Sequence, residues 1–328
     1  MSVIGKSSAK LSRALLVACR RAGGGGTGLG SDRMVFVAAP TPFLANGAVD
    51  SDALRYNIGQ WLDAGVDGIL VLGTTGEAIH LDDDESDALI AVARAAVPSG
   101  RRLLVGTGRP TTAATVRATA RAADLGADLA LVLTPHYYKS EMTPDALGRH
   151  YREVADTSAI PVILYAMPAL TGVQISSELG AELGRHPRIF GIKDSSGDVA
   201  MLFDRVERSN ESFRVFSGSG RAVLPALAAG VRGSILAIAA VAPEVAVAAH
   251  RAFAAGELDT ARRAAALLLR LSDLLAPYGL GGLKAAMTVR GLRGGVCRPP
   301  LAFDPSAVRH IETVLADTGL LLPASRKI

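Results

Sequence analysis

From Met34 onward one pattern recurs along the chain. A short β-branched or apolar run is followed by a loop, then by an alanine-rich segment whose apolar positions return at helical spacing. The runs occupy residues 35–39, 68–72, 103–106, 129–133, 162–165, 189–192, 214–216 and 233–236. Segments between them, among them 51–64, 84–96, 111–125 and 143–156, carry one charged and one apolar face. Helix-capping residues stand at their starts: Asp50 or Ser51, Asp82, Thr111 and Thr143. Runs that are apolar on both faces predict parallel strands covered by helices. Eight strand–helix units predict an α/β fold closed as a (β/α)8 TIM barrel, with an open doubly wound sheet as the alternative that counting leaves standing. Helical patterns continue at 243–255, 258–275, 283–290 and 304–318. They predict a barrel over 34–240 and a C-terminal helical region over 241–328 packed on it.

Composition narrows the class. The chain has 328 residues, 49% of them hydrophobic and 20% charged, a globular balance that can bury a large core. No uninterrupted apolar stretch is long enough for a membrane-spanning helix. Cys19 and Cys297 make no disulfide framework and lack zinc-ligand spacing, so a reducing, cytoplasmic setting is expected. The six histidines form no i, i+4 pair, and Asp82-Asp83-Asp84-Glu85 reads as a capped helix start rather than a calcium loop, so neither a metal nor another cofactor is expected.

The net charge of +4 suggests a nucleic-acid partner until it is located. Residues 1–33 hold six basic side chains against Asp32 alone, which is +5 and leaves the other 295 residues at −1. The basicity belongs to a glycine-rich extension, not to a folded binding face. That extension is read as a flexible tail, with a transit peptide or a true start at Met34 as alternatives. Its Gly23, Gly25 and Gly28 match a dinucleotide fingerprint, but no strand precedes them.

In a barrel of this kind the chemistry sits where strands end. Lys193 is the most informative residue there. Of 35 basic residues only six are lysines, and Lys193 alone among them closes an apolar strand. Desolvation lowers the pKa of an amine from ~10.4 toward neutrality, and a neutral amine attacks a ketone to give a Schiff base. The plainer reading is a structural pair with Asp194 or a lysine holding an anion. Tyr165 ends the neighbouring strand at equivalent depth, where its hydroxyl can shuttle a proton, and Thr74 and Tyr137 are candidate relay partners. Thr75 and Gly76 form a strand-to-helix turn whose backbone amides suit a small carboxylate. Glu77 reads as a loop hydrogen-bonder. Ser195 and Gly218, just past strands six and seven, are further candidates for substrate contact.

Gly73-Thr74-Thr75-Gly76-Glu77, Tyr165-Ala166-Met167-Pro168 and Gly191-Ile192-Lys193-Asp194-Ser195-Ser196-Gly197-Asp198 follow in that order on successive strands. Together they resemble the pyruvate-dependent class I aldolases, the family of dihydrodipicolinate synthase and N-acetylneuraminate lyase, over about residues 34–305. The resemblance implies Lys193 as the Schiff-base lysine, Tyr165 as proton shuttle, and a relay completed by Thr74 and by Tyr137, the latter lent to a neighbouring subunit. It implies Thr75 at the pyruvate carboxylate, Ile235 against the pyruvyl unit, and assembly as a homodimer or homotetramer. The expected partners are pyruvate and an aldehyde.

The branch within the family is less settled by these motifs. Leu170 stands where dihydrodipicolinate synthases place an arginine for the aldehyde's carboxylate, and Gly220 and Arg221 stand where sialic acid lyases carry acids. Thr134-Pro135-His136-Tyr137-Tyr138, and Gly282-Leu283-Lys284 with Gly295-Val296-Cys297-Arg298-Pro299-Pro300-Leu301, look most like 4-hydroxy-2-oxoglutarate aldolase. Arg221, with Arg109 as an alternative, is then expected to meet an anionic substrate tail. The expectation is a lyase cleaving or forming the bond between pyruvate and an aldehyde. The alternatives are a dihydrodipicolinate synthase-like or N-acetylneuraminate lyase-like enzyme, a keto-deoxy sugar acid dehydratase, and a non-catalytic keto-acid sensor.

Overall fold

The computed structural model describes residues 33–321, so the reading of the N-terminal extension lies outside the described residues apart from Arg33. Eight parallel strands close into a barrel: β1 (Met34–Ala38), β2 (Gly68–Val71), β3 (Arg102–Gly106), β4 (Leu129–Leu133), β5 (Val162–Ala166), β6 (Ile189–Asp194), β7 (Arg214–Ser217) and β8 (Gly233–Leu236). Each pairs with the next, and β1 returns to β8 in the register Phe36 to Ile235, which removes the open-sheet alternative. The barrel leaves no sheet edge, so every strand is buried on both faces.

Alternation along the strands sorts side chains into two layers. Phe36, Ala38, Leu70, Leu104, Leu131, Ile163, Tyr165, Phe216 and Ile235 fill the interior, with Phe36 and Phe216 edge to face at 6.2 Å. Their chain neighbours Val35, Val37, Ile69, Val71, Leu103, Val105 and Leu164 face outward into the helices. A barrel this narrow brings backbones together at Gly106, where a Cβ would lie 1.9 Å from the Leu72 carbonyl oxygen.

The helices follow the strands: α1 (Ser51–Asp63), α2 (Asp83–Ala96), α3 (Thr112–Asp124), α4 (Pro144–Thr157), the short α5 (Pro168–Thr171), α6 (Ser177–Leu183), α7 (Val199–Arg208) and α8 (Val223–Ala228). Asp50, Thr111, Thr143 and Asp198 each accept an amide in the first turn of the helix they cap, contacts worth about 1 kcal/mol apiece. Asp82 and Glu85 form a reciprocal capping box, and Glu85 also receives the Arg298 guanidinium. Among the described residues four α-helices come after β8: α9 (Pro243–Ala254), α10 (Leu258–Leu275), α11 (Gly279–Val289) and α12 (Val308–Asp317). The α11 helix begins about a turn before the periodicity predicts. Gly281 and Gly282 are poor helix formers, but a Cβ at Gly281 would sit 2.4 Å from Phe303 Cβ, so packing overrides propensity. Among the described residues no helix is long and apolar enough to cross a membrane.

Two buried histidines are held neutral in this frame. His250 on α9 bonds the Ala246 carbonyl and, at 3.0 Å, Ser234 of β8, while His150 on α4 meets Thr112 at 2.9 Å. Burial pushes both imidazoles down from 6.5 to about 4. The unfolded chain takes up these protons from about pH 6.5 and the folded chain only near 4, so stability falls as pH falls through that interval, by on the order of 3 kcal/mol per histidine. Denaturant unfolding at a series of pH values should show this slope, and His250→Gln should flatten it. An unchanged slope in that variant would place the acid sensitivity elsewhere.

Candidate active site

Strand register sets the centre of the site. Tyr165 on β5 stands opposite Lys193 on β6, and both are only 4% exposed at the rim where the strands end. Lys193 Nζ lies 4.0 Å from the centroid of the Tyr165 ring, and the Tyr165 hydroxyl lies 3.4 Å from Thr74 Oγ1 beyond β2. Below them Ile235 and Phe216 close the apolar floor. The alternative, a structural pair between Lys193 and Asp194, does not form. Adjacent strand residues point to opposite faces, so Asp194 turns outward, where Arg205 of α7 donates to it from Nε at 2.8 Å. Both members of that pair are buried, and the Ser196 amide takes the other carboxylate oxygen. Among the described residues no carboxylate lies within ion-pair distance of Lys193 Nζ.

Tyr165 feels opposing influences. Burial pushes its phenol upward, while the Lys193 charge and hydrogen bonding with Thr74, Ser195 and Lys193 pull it down, leaving it below the ordinary tyrosine value. The chain just after β7 passes close to Ser195, since a Cβ at Gly218 would fall 1.9 Å from Ser195 Oγ. The Gly218 amide also donates to the Asp194 carbonyl at 2.7 Å.

The turn after β2 is braced at both ends by left-handed residues, Leu72 at φ 55° and Glu77 at φ 54°, a strained conformation for non-glycine residues. Within it the Gly76 amide donates to Gly73 and the Glu77 amide to Thr74. The expectation that Thr75 and Gly76 both offer amides is therefore corrected: the tight turn consumes Gly76, and the Thr75 amide alone of the two makes no hydrogen bond among the described residues. Thr41 donates to the Gly76 carbonyl at 2.6 Å, fixing the turn against the segment after β1.

Other expected residues stand apart. Tyr137 is 82% exposed, edge to face with Tyr138, because the segment after β4 carries both rings outward. Within one chain it does not join Thr74 and Tyr165. Arg221 is exposed and forms a surface ion pair with Asp273 of α10 at 2.7 Å. Arg109 is half-buried over α2 and α3; burial pushes its pKa down, and the charges around it are Asp83, Arg121 and Asp87 rather than Lys193. Leu170 is exposed beyond β5. Glu77 is, as expected, a hydrogen-bonder, but a fully buried one, paired with Lys284 of α11 at 2.5 Å. Lys284 is a second buried lysine that the strand-end argument overlooks. The scarcity of lysine beside abundant arginine was a signal available for it too. Among the described residues no three His, Cys, Asp or Glu side chains converge as metal ligands would.

Comparison with known proteins places this geometry. The dihydrodipicolinate synthetase family model matches residues 32–313. A 4-hydroxy-tetrahydrodipicolinate synthase of an Exiguobacterium species is 38% identical over 269 residues, covering 81% of this chain and 91% of its own. One from Xanthomonas axonopodis pv. citri is 40% identical, over 86% and 94% of the two chains. Among solved structures, the dihydrodipicolinate synthase of Acinetobacter baumannii complexed with pyruvate is 29% identical with a TM-score of 0.84, over 89% of this chain and all of that one.

The Lys193 charge is the largest influence lowering the Tyr165 phenol, so Lys193→Met should leave burial dominant and move Tyr165 above its ordinary value. Alkaline titration of phenolate absorbance, with Tyr165→Phe as the blank, reads this directly. An unshifted Tyr165 in Lys193→Met would remove Lys193 as the controlling charge.

Proposed function

The chain belongs to the dihydrodipicolinate synthetase family of class I, pyruvate-dependent lyases, and from that membership and the barrel rim we propose that Lys193 forms the Schiff base with pyruvate. The observation that carries the reading is a buried lysine amine with no carboxylate partner, lying on the ring of a tyrosine whose phenol is held below its ordinary value. An amine so placed has no carboxylate to hold it and faces the strand-end rim, where it can reach a ketone, and Tyr165 beside it can carry protons.

In this reading the Lys193 amine condenses with the ketone of a 4-hydroxy-2-oxo acid and water leaves. Thr75, through its hydroxyl together with its uncommitted amide, holds the carboxylate, and Ile235 packs against the three-carbon unit. Tyr165 removes the C4-hydroxyl proton, with Thr74 at 3.4 Å passing it on. The C3–C4 bond breaks, its electrons move into the imine to give the pyruvate enamine, and an aldehyde leaves. Protonation of the enamine at C3 and hydrolysis release pyruvate and restore the amine. Run backward, the same steps make the bond. Tyr137, exposed on its own chain, is proposed to reach the relay only from a second copy in a homodimer or homotetramer.

For the acceptor we propose a short aldehyde of the kind released from 4-hydroxy-2-oxoglutarate, on the resemblance of residues 134–138, 282–284 and 295–301. Arg221, paired at the surface with Asp273 in the free chain, stays the candidate for an anionic tail, which would have to displace that exposed and weak pair. The names of relatives about 40% identical favour a second reading, 4-hydroxy-tetrahydrodipicolinate synthase, against which Leu170 stands in the place of an arginine.

Borohydride reduction in the presence of pyruvate should leave a reduced pyruvyl adduct on Lys193, found by intact mass and peptide mapping, and Lys193→Met should leave none. Tyr165→Phe should still be trapped while bond cleavage falls about 10²–10⁴-fold. Absence of an adduct where calorimetry shows pyruvate bound would sink the mechanism in favour of a sensor. Product analysis then separates the acceptor readings: glyoxylate and pyruvate from 4-hydroxy-2-oxoglutarate support the first, a cyclic product from an amino-aldehyde the second.

A further inference from the structure

We propose that Lys284 is a positioning residue for the turn that presents Thr74 and Thr75, acting through its buried ion pair with Glu77. The proposal rests on the reading of that turn as the pyruvate carboxylate site. Lys284 and Glu77 lie 207 positions apart in sequence, one on α11 and the other at the end of the turn after β2, and their side chains are each about 1% exposed. Removing two charges from water is expensive, and a pair of this kind adds little to stability over well-packed apolar groups. What it supplies is a fixed position.

Every polar atom of the pair is engaged. Glu77 Oε1 accepts from Lys284 Nζ at 2.5 Å, while Glu77 Oε2 accepts from the Arg298 amide at 3.0 Å and lies 3.1 Å from His80 Nδ1. Lys284 spends a second donor on the Val296 carbonyl at 2.6 Å and lies 4.7 Å from the Phe43 ring centroid. The carboxylate therefore has one seat, and the left-handed backbone of Glu77 is held with it. From that backbone the Glu77 amide donates to the Thr74 carbonyl, and Thr74 Oγ1 is the contact of the Tyr165 hydroxyl. A helix beyond the barrel thus sets, through one salt bridge, the position of the groups that meet the substrate carboxylate and the proton shuttle.

The test is exchange of pyruvate methyl protons with deuterium oxide, followed by proton NMR over a range of pyruvate concentrations, with thermal midpoints measured alongside. This reaction requires imine and enamine but no acceptor. Lys284→Met should raise the half-saturating pyruvate concentration at least about fivefold and lower the maximal exchange rate less. It should also lower the midpoint, because Glu77 keeps a buried charge with no counter-ion. The double variant Glu77→Gln/Lys284→Met removes that charge, so its midpoint should return toward wild type while its half-saturation stays raised. Recovery of both in the double variant would reduce the pair to a folding element and overturn the proposal, as would wild-type half-saturation in Lys284→Met. If the single variant does not fold, the double variant alone decides. Thr75→Val separates the two levels: unchanged half-saturation there would sink the carboxylate-site reading and this proposal with it. A raised value in Thr75→Val, with Lys284 variants at wild type, would sink only the role of Lys284.

Discussion

The separation of two neighbours in sequence, Lys193 and Asp194, governs the rest of the site. A lysine and an aspartate within reach of each other would pair, and a paired amine is held away from substrate. The pleat of β6 prevents it by sending the two side chains to opposite faces of the barrel wall. Arg205 then completes the separation, since an aspartate buried without a cation would be expensive to ionise. The outward pair satisfies the carboxylate, and the inward lysine is left with an aromatic face and no anion. A single residue of register slip in β6 would exchange the two environments and remove the proposed chemistry.

The two buried lysines among the described residues show how environment divides one side chain between two tasks. Lys284 has a carboxylate, a carbonyl and a ring around its amine, which hold it as a fixed cation. Lys193 has the Tyr165 ring and lies beside a phenol that its own charge helps to pull down. The first arrangement suits an anchor and the second a nucleophile. The two meet at the same turn, because the Glu77 seat and the Thr74 contact with Tyr165 are parts of one five-residue segment.

Much of this was legible in the sequence because it is carried by local period. Strand positions read from apolar runs fall within about two residues of the observed ones, and Asp50, Asp82, Thr111 and Thr143 cap the helices expected of them. The opposition of Tyr165 and Lys193 was legible too, since both end strands that neighbour in order. What escaped depends on contacts that period does not encode. The bond from Lys284 to Glu77 spans 207 positions, and nothing near either residue announces the other. The loss of the Gly76 amide follows from the closing of its own turn. Arg221 met Asp273 because a helix after the barrel brings that acid to it, and no spacing in the strand-seven motif could show this.

The same division explains why the donor side of the reaction can be argued further than the acceptor side. Groups proposed to act on pyruvate stand on strands or on a turn pinned by buried bonds, so barrel closure fixes their mutual distances. Groups that would meet an aldehyde lie on the segments after β4, β5 and β7, where Tyr137 and Leu170 are exposed and Arg221 is turned to the surface. Exposed side chains at a rim take their final positions from what covers them, whether substrate or a second copy of the chain. Arg205 and Glu77 are fixed by burial and therefore belong to the part of the reaction set by the fold. Acceptor choice, carried by uncovered residues, is the part that substitution can change without disturbing the barrel.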